Sequence, residues 1–280
     1  METPLTNLSI NSTVGLNNKV QMPILGLGVY QTPLGRATQN AVKFALQVGY
    51  RHVDTARIYG NEADVGEAIR ESGLPRKDLF ITTKLWNSDQ GYDSTLRAYE
   101  ASLKRLGLDS LDLYLIHFPV PELRKDSWKA MEKLLEKGKC RAVGVSNFTT
   151  SHLEELLNEH GVTPAVNQVE FHPFLYRKEL LEYCQRKGIQ VEAYSPLARG
   201  ERMKHPRMLS LGKKYSKSPA QLMIRWGLQH GLVVIPKSTR EDRIRENSRV
   251  FDFDISDDDM RSLDSLNEDL RLNWDPTSVP

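Results

Sequence analysis

The chain has 280 residues, of which 38 are basic and 36 are acidic, and the net charge of +2 argues against a protein that binds nucleic acid or a membrane surface through bulk charge. A chain of this length fits one domain, which we expect to cover residues 1–280. Two cysteines without metal-type spacing, residues 1–16 without the pattern of a secretory signal, and no apolar run of roughly 20 residues predict a cytoplasmic protein.

The first predicted element is a β-hairpin. Residues 9–16 and 19–22 flank Asn17-Asn18, a pair that tolerates the positive φ of a two-residue turn. A hairpin at this place could close the bottom of a barrel.

Eight short apolar strands then alternate with eight amphipathic helices. The predicted strands are 24–27, 51–54, 80–85, 111–116, 141–145, 166–169, 190–193 and 232–235. The predicted helices are 37–48, 61–72, 94–106, 127–137, 151–158, 178–187, 219–229 and 241–247. This alternation favours the α/β class and a closed (β/α)8 TIM barrel over an open sheet. Residues 196–215, between the seventh strand and the seventh helix, are longer than a connecting loop in such a barrel needs to be. Residues 256–267 predict an extra C-terminal helix.

Polar side chains stand at the ends of three consecutive predicted strands. Asp54 ends the second strand, Lys84 lies at the end of the third, and His117 follows the fourth. In (β/α)8 enzymes, catalytic residues lie at the C-terminal ends of the strands, so the three side chains should meet at one face. They predict an active site there.

The residue types indicate carbonyl reduction, which needs a hydride donor and a proton donor. A tyrosine hydroxyl has a pKa of about 10, and a nearby ammonium favours its phenolate. We therefore assign Tyr59 as the general acid, Lys84 and Asp54 as the pair that lowers its pKa, and His117 as the residue that orients the substrate oxygen. Each alone would more often be structural, and the set of four favours an enzyme.

Motifs along almost the whole chain resemble those of the aldo-keto reductase superfamily. They are DTARIY (54–59), TKLW (83–86), LYLIH (113–117), GVSNF (144–148), NQVE (167–170), AYSPL (193–197) and IPKS (235–238). Their occurrence in this order is far more specific than any one of them. The short loop after His117 and residues 86–92 resemble the prokaryotic and protozoal branch, which includes 2,5-diketo-gluconate reductase-like and prostaglandin F synthase-like enzymes.

The resemblance implies a TIM barrel with NADP(H) extended across its mouth. No glycine-rich Rossmann fingerprint follows a strand, so the dinucleotide must be bound in another way. By matching position, Tyr194 would stack on the nicotinamide; Ser146, Asn147 and Gln168 would hold the carboxamide; Ser195 and Leu197 would contact the pyrophosphate; Lys237, Ser238 and Arg243 would grip the 2′-phosphate; and Glu246 and Asn247 would lie near the adenine. Two cations and a hydroxyl around the start of a helix suit a phosphate, so we expect NADPH to be preferred over NADH.

The substrate pocket is expected to involve Tyr30, Trp86 and Phe118. Phe118 stands where many relatives carry tryptophan, and Tyr30 where mammalian members often do. These differences change the pocket shape and leave the four catalytic residue types intact. The tail 272–280 is short, so the specificity loops should be small and the pocket open. The expected function is NADPH-dependent reduction of aldehydes and some ketones by a monomer; the sequence does not name the physiological carbonyl.

Two other functions compete with this one. The same fold serves as a nucleotide-binding structural or regulatory protein in channel β-subunits and some lens crystallins, although retention of all four catalytic types argues against a purely structural role. A metal-dependent hydrolase would need a His, Asp and Glu cluster at strand ends. Glu170 and His172 lack partners at the required spacing, so no metal site is expected.

Overall fold

The structure is a computed structural model that describes residues 8–280, and a closed parallel barrel forms its centre. The strands are β1 (Thr13–Gly15), β2 (Gln21–Pro23), β3 (Leu27–Gly28), β4 (His52–Asp54), β5 (Phe80–Leu85), β6 (Leu111–Ile116), β7 (Cys140–Ser146), β8 (Val166–Glu170), β9 (Gln190–Tyr194) and β10 (Val233–Val234). Strands β3 to β10 pair in sequence order, each parallel to the next. Parallel bridges from Leu25 to Val234 and from Gly28 to Lys237 join the first and last of these strands, so the sheet closes on itself.

Helices connect the barrel strands on the outside. They are α1 (Arg36–Gln47), α2 (Glu62–Ser72), α3 (Tyr92–Leu106), α4 (Arg124–Glu136), α5 (Thr150–Glu159), α6 (Lys178–Arg186), α7 (Pro206–Tyr215), α8 (Pro219–Gln229), α9 (Glu241–Ser248) and α10 (Asp257–Asp264). The predicted (β/α)8 barrel and the extra C-terminal helix, α10, are confirmed. Each strand delivers its last residues to the same end of the barrel, where the predicted site lies.

Alternation along the strands separates two apolar layers. Val53, Ile81 and Val191 belong to the larger layer, which packs the strands against the helices. The smaller layer lies inside the lower barrel and contains Phe80 and Leu113 with their neighbours. The hairpin β1–β2 covers it through buried side chains, which confirms that the hairpin closes the barrel bottom.

The hairpin turn differs from the prediction. Leu16 N–H donates to Val20 O at 2.9 Å, so the loop has three residues, and the positive φ of 69° falls on Lys19 instead of Asn17 or Asn18. The observed register pairs Val14 with Met22, which puts the apolar side chains of both strands on the face toward the barrel. A two-residue turn would rotate one strand's apolar set to the opposite face, so burial determines the register.

A helix that the sequence did not predict, α7, occupies the second half of the 196–215 segment. It begins with Pro206 after the N-cap residue His205. Its interior glycine, Gly212, is unfavourable for a helix. A Cβ at that position would lie 2.8 Å from Lys217 O, so the glycine permits the chain to fold closely back at the helix end.

Candidate active site

Lys84 is the centre of the group that the sequence predicted. Its Nζ donates to Asp54 Oδ1 at 2.6 Å, to Thr55 O at 2.9 Å and to Tyr59 OH at 3.4 Å. These three bonds use all three ammonium hydrogens. Because the Tyr59 oxygen accepts from Lys84, its own O–H remains available to a group in the cavity.

The environment of Tyr59 keeps its hydroxyl protonated. Burial raises the pKa of Tyr59 well above 10, and the negative charge of Asp54 adds to the rise. Burial of the phenolate is the largest cause of the net rise, and a lowering of this pKa by the Lys84 ammonium stays a prediction. The Tyr59 hydroxyl therefore keeps its proton at neutral pH and can act as a proton donor.

His117 faces the same cavity as a neutral imidazole. Burial, followed by the nearby charge of Lys84, holds the pKa of His117 well below its usual 6.5. Its ring lies edge-on to Tyr59, with centroids 5.7 Å apart. Within residues 8–280 its Nδ1 is sealed without a hydrogen-bond partner, so Nε2 is the nitrogen left to the cavity. A neutral ring can meet a carbonyl oxygen without adding charge.

One cavity of about 700 Å³ connects these residues to the predicted dinucleotide site. Asp54, Tyr59 and His117 line it, whereas Lys84 lies beneath them. The cavity is also lined by every predicted cofactor residue: Ser146, Asn147, Gln168, Tyr194, Ser195, Leu197, Lys237, Ser238, Arg243, Glu246 and Asn247. The barrel therefore brings the predicted catalytic and cofactor residues to one continuous space.

The three residues expected at the carboxamide differ in what they can still bind. Asn147 donates both amide hydrogens, to His117 O at 3.0 Å and Ser146 Oγ at 3.1 Å, and its Oδ1 accepts from Tyr194 OH at 2.8 Å. Ser146 Oγ donates to Gln168 O at 2.8 Å. Gln168 gives both amide hydrogens to carboxyl groups, and none of the hydrogen bonds within residues 8–280 uses its Oε1. Its Oε1 is thus the most available acceptor of the three.

The far end of the cavity is cationic. Lys237 and Ser238 follow β10, and Arg243 stands in the first turns of α9. Burial lowers the pKa of Lys237, and the neighbouring charge of Arg199 adds to this effect. Two like charges held this close favour an anion between them.

Two of the three predicted substrate-pocket residues lie beside Trp274, a tryptophan from the C-terminal tail. Tyr30 lines the cavity and lies 4.9 Å from Tyr59, centroid to centroid. Trp86 and Phe118 lie farther out, with centroids 5.5 Å and 6.4 Å from that of Trp274. The short tail contributes Asn273 and Trp274 to the cavity lining, and the openness of the pocket stays a prediction.

Two rim segments that the sequence analysis did not assign also line the cavity. Arg199 lies in a strained loop with φ of 50°, and its guanidinium donates to Gln31 Oε1 at 3.0 Å and Leu272 O at 3.3 Å. Glu170 accepts from Leu272 N–H at 3.0 Å, which fixes the tail just before Trp274. The excess length of 196–215 after a barrel strand was the signal for the first segment. Nothing local in the sequence marks the second.

The described part of the chain shows neither a metal-binding cluster nor a membrane-spanning helix. Within residues 8–280, no three or more His, Cys, Asp or Glu side chains are grouped so that they could hold a metal ion. In the same range, no helix has the length and apolar character needed to cross a membrane.

Comparison with known proteins gives consistent matches over nearly the full chain. The model of the aldo/keto reductase family matches residues 25–268. Glyoxal reductase of Bacillus subtilis is 53% identical over 97% of this chain and 98% of its own. The 9,11-endoperoxide prostaglandin H2 reductase of Trypanosoma cruzi is 52% identical over 94% of each chain. Two solved structures also superpose: an aldo-keto reductase from a Medee basin deep-sea metagenome library (45% identity, 96% and 99% of the chains, TM-score 0.92) and a Bombyx mori aldo-keto reductase in complex with NADP (34%, 95% of each, 0.88).

Proposed function

The chain belongs to the aldo/keto reductase family, and we propose that it reduces aldehydes and some ketones to alcohols with NADPH. The resemblance seen in the motifs, including the prokaryotic and protozoal branch, is confirmed. The observation that carries the proposal is the three-way hydrogen bonding of Lys84, which leaves the Tyr59 O–H free to donate into the cavity. This is the arrangement that protonation of a carbonyl oxygen needs.

The residues of the cavity fit a phosphorylated dinucleotide. Gln168 Oε1 can accept from a carboxamide N–H, and Tyr194 offers a ring beside it. Lys237 and Arg243 can hold a 2′-phosphate, with Arg199 close to Lys237. When bound, the reduced nicotinamide supplies the hydride for the carbonyl carbon. The Bombyx mori relative was solved with NADP, which supports the same cofactor here.

The protein residues supply orientation and the proton. A carbonyl oxygen near Tyr59 and His117 would accept a hydrogen bond from the phenol, and His117 would position it from the other side. As negative charge develops on that oxygen, the proton leaves Tyr59 O and the Lys84 ammonium stabilises the phenolate left behind. Asp54 holds Lys84 in place throughout. The aromatic rings of Trp86 and Trp274 lie 5.3 Å and 5.7 Å from the His117 ring, centroid to centroid, and would pack against the substrate there.

The first experiment measures NADPH consumption with a reactive aromatic aldehyde and with glyoxal, beside NADH at the same concentration. We expect turnover with NADPH and much less with NADH, because NADH lacks the phosphate that Lys237 and Arg243 would bind. Equal rates and equal affinities for the two cofactors at low salt would contradict the cofactor proposal. Binding of NADPH without turnover of any carbonyl would favour a sensor or structural role.

A second experiment isolates the proton donor. Tyr59→Phe removes the hydroxyl and keeps the ring packed against Tyr30, so folding and NADPH binding should persist. General acid catalysis contributes about 10²–10⁴ in rate, and we expect a loss of that size in kcat. Tyr30→Phe, on the neighbouring ring, is the matched control. Near-full turnover of Tyr59→Phe would remove Tyr59 from the acid role.

We further propose that the protein works as a single-domain monomer in the cytoplasm. One barrel carries the whole candidate site, which supports the single domain. Cys140 and Cys184 are both free and buried, and this suits a reducing compartment. Sedimentation of the purified protein would test the monomer.

A further inference from the structure

A carboxyl group lies inside the barrel, beneath the candidate catalytic residues, and the mechanism above does not use it. We propose that Glu192 is a positioning residue that keeps its proton at neutral pH and, with Asp54, fixes the side-chain amide of Gln168. Its link to the cofactor rests on the proposed function, whereas its protonation state does not. Glu192 is fully buried at the middle of β9.

The amide of Gln168 bridges two carboxyl groups. Its Nε2 donates to Asp54 Oδ2 at 2.8 Å and to Glu192 Oε2 at 2.8 Å. An amide oxygen at this position would face the Asp54 carboxylate with no hydrogen between them, so the nitrogen must point inward. The amide oxygen Oε1 is then turned toward the cavity. Asp54 thereby sets which end of Gln168 a cofactor meets, and Glu192 holds that orientation by accepting the second amide hydrogen.

The arrangement of charges indicates which carboxyl holds the proton. Lys84 contacts Asp54 at 2.6 Å and makes no hydrogen bond to Glu192. Two buried carboxyl groups that share one amide and one cation cannot both ionise cheaply, so the one without the direct ion pair stays protonated. Burial raises the pKa of Glu192 to about 8, and the charge of Asp54 adds to this rise.

The remaining neighbour of Glu192 cannot replace the missing cation. His52 Nε2 lies 3.5 Å from Glu192 Oε1 and 3.2 Å from Thr82 Oγ1. Burial lowers the pKa of His52 to about 3, with Lys84 contributing, so the imidazole is neutral. On the other side the ring lies close to Gly26, where an added Cβ would be 2.6 Å from His52 Nδ1, so the glycine makes room for the imidazole. The pair of Glu192 and His52 therefore carries no net charge at pH 7.

The protonation state can be measured through folding stability. A carboxyl whose pKa is raised in the folded protein binds a proton that the unfolded chain has lost between pH 4.5 and about 8. The contribution of this carboxyl to the free energy of unfolding is then fully present below pH 4.5 and is lost as the pH rises to about 8. Glu192→Gln keeps the shape and an oxygen acceptor for Gln168 but has no proton to lose.

We would follow urea unfolding of the wild type and of Glu192→Gln by circular dichroism between pH 5 and pH 9. The ratio of the two unfolding constants, wild type over variant, should rise about tenfold per pH unit up to pH 7.5 and level off above pH 8. The exposed Glu154→Gln serves as the control for losing one surface carboxylate. A ratio for Glu192→Gln that is flat, or that falls with pH, would overturn the neutral carboxyl.

The positioning role is tested by NADPH affinity in a double-mutant cycle. Glu192→Leu removes the acceptor of Gln168, so NADPH affinity should fall several-fold; Gln168→Leu should lower it at least as much. Because Glu192 acts through Gln168, the double variant should bind no more weakly than Gln168→Leu alone. Additive losses would refute this route. If no carbonyl is turned over, the stability experiment and the NADPH cycle still decide the inference.

Discussion

Lys84 and Asp54 form an ion pair that is closed off from solvent, with side chains 0% and 3% exposed and Nζ 2.6 Å from Oδ1. Lys84→Met removes the cation. Asp54 must then either stay ionised without a partner in the buried site or bind a proton. Breaking a buried pair from one side costs about 3–5 kcal/mol. Protonation of Asp54 limits that cost. Each pH unit above the ordinary pKa of 3.8 adds about 1.36 kcal/mol to the free energy of forming the neutral carboxyl. The cost is therefore about 4 kcal/mol at pH 7 and below about 2 kcal/mol at pH 5.

The destabilisation by Lys84→Met should therefore depend on pH. The unpaired Asp54 binds a proton in the folded variant that the unfolded chain lacks above its ordinary pKa. Stability of the variant is retained at low pH and falls as pH rises, so the loss relative to wild type should reach about 4 kcal/mol at pH 7 and shrink by about 2–3 kcal/mol at pH 5. Urea unfolding at the two pH values measures this difference directly.

The control is the double variant Lys84→Met with Asp54→Asn. Removing both charges leaves no unpaired carboxylate in place of the Lys84–Asp54 pair, and most of the stability at pH 7 should return. A loss below about 1 kcal/mol at both pH values would refute the view that burial makes this pair obligatory. A loss of equal size at both pH values would show that Asp54 does not take up the proton.

Three further predictions follow from contacts in the cavity and the helix layer. Lys237→Met and Arg243→Met should each lower NADPH affinity by about tenfold, the value of one charge-assisted hydrogen bond, with little change for NADH in a fluorescence titration; equal losses for both cofactors would contradict the phosphate role. Trp274→Ala should raise KM for aromatic aldehydes more than it lowers kcat, because its ring contacts the pocket and takes no part in the hydrogen bonds around Lys84; a fall in kcat alone would argue against this. Gly66→Ala should lower Tm with a cost of about 1–3 kcal/mol or more, because its Cβ would lie 2.1 Å from Leu106 O, where backbone must move; an unchanged Tm would disprove the close helix contact.

The sequence predicted the barrel because its strands and helices differ in period and length, and because polar residues stop the strands at one end. Its failures have a common cause in tertiary contacts. The turn at Lys19 follows from the apolar face that the hairpin turns to the barrel. The position of Trp274 depends on Glu170, more than a hundred residues earlier, which binds the backbone of the tail. Neither contact leaves a local pattern.

The barrel interior shows why the site was only half predictable. In β9 the apolar Val191 and Ala193 alternate with Glu192, a pattern typical of a strand whose polar residues face solvent. In β9 of this barrel the apolar Val191 and Ala193 pack outward on the helices and the polar Glu192 turns inward, so Glu192 is sealed beside Gln168. The same inversion places Lys84 beneath Tyr59, where it was recognised because it stands at a strand end. A polar residue in mid-strand has no such mark. That Glu192 is buried is known only once the eight strands are assembled into the barrel. The protonation states of Asp54, Lys84 and Glu192 then depend on one another.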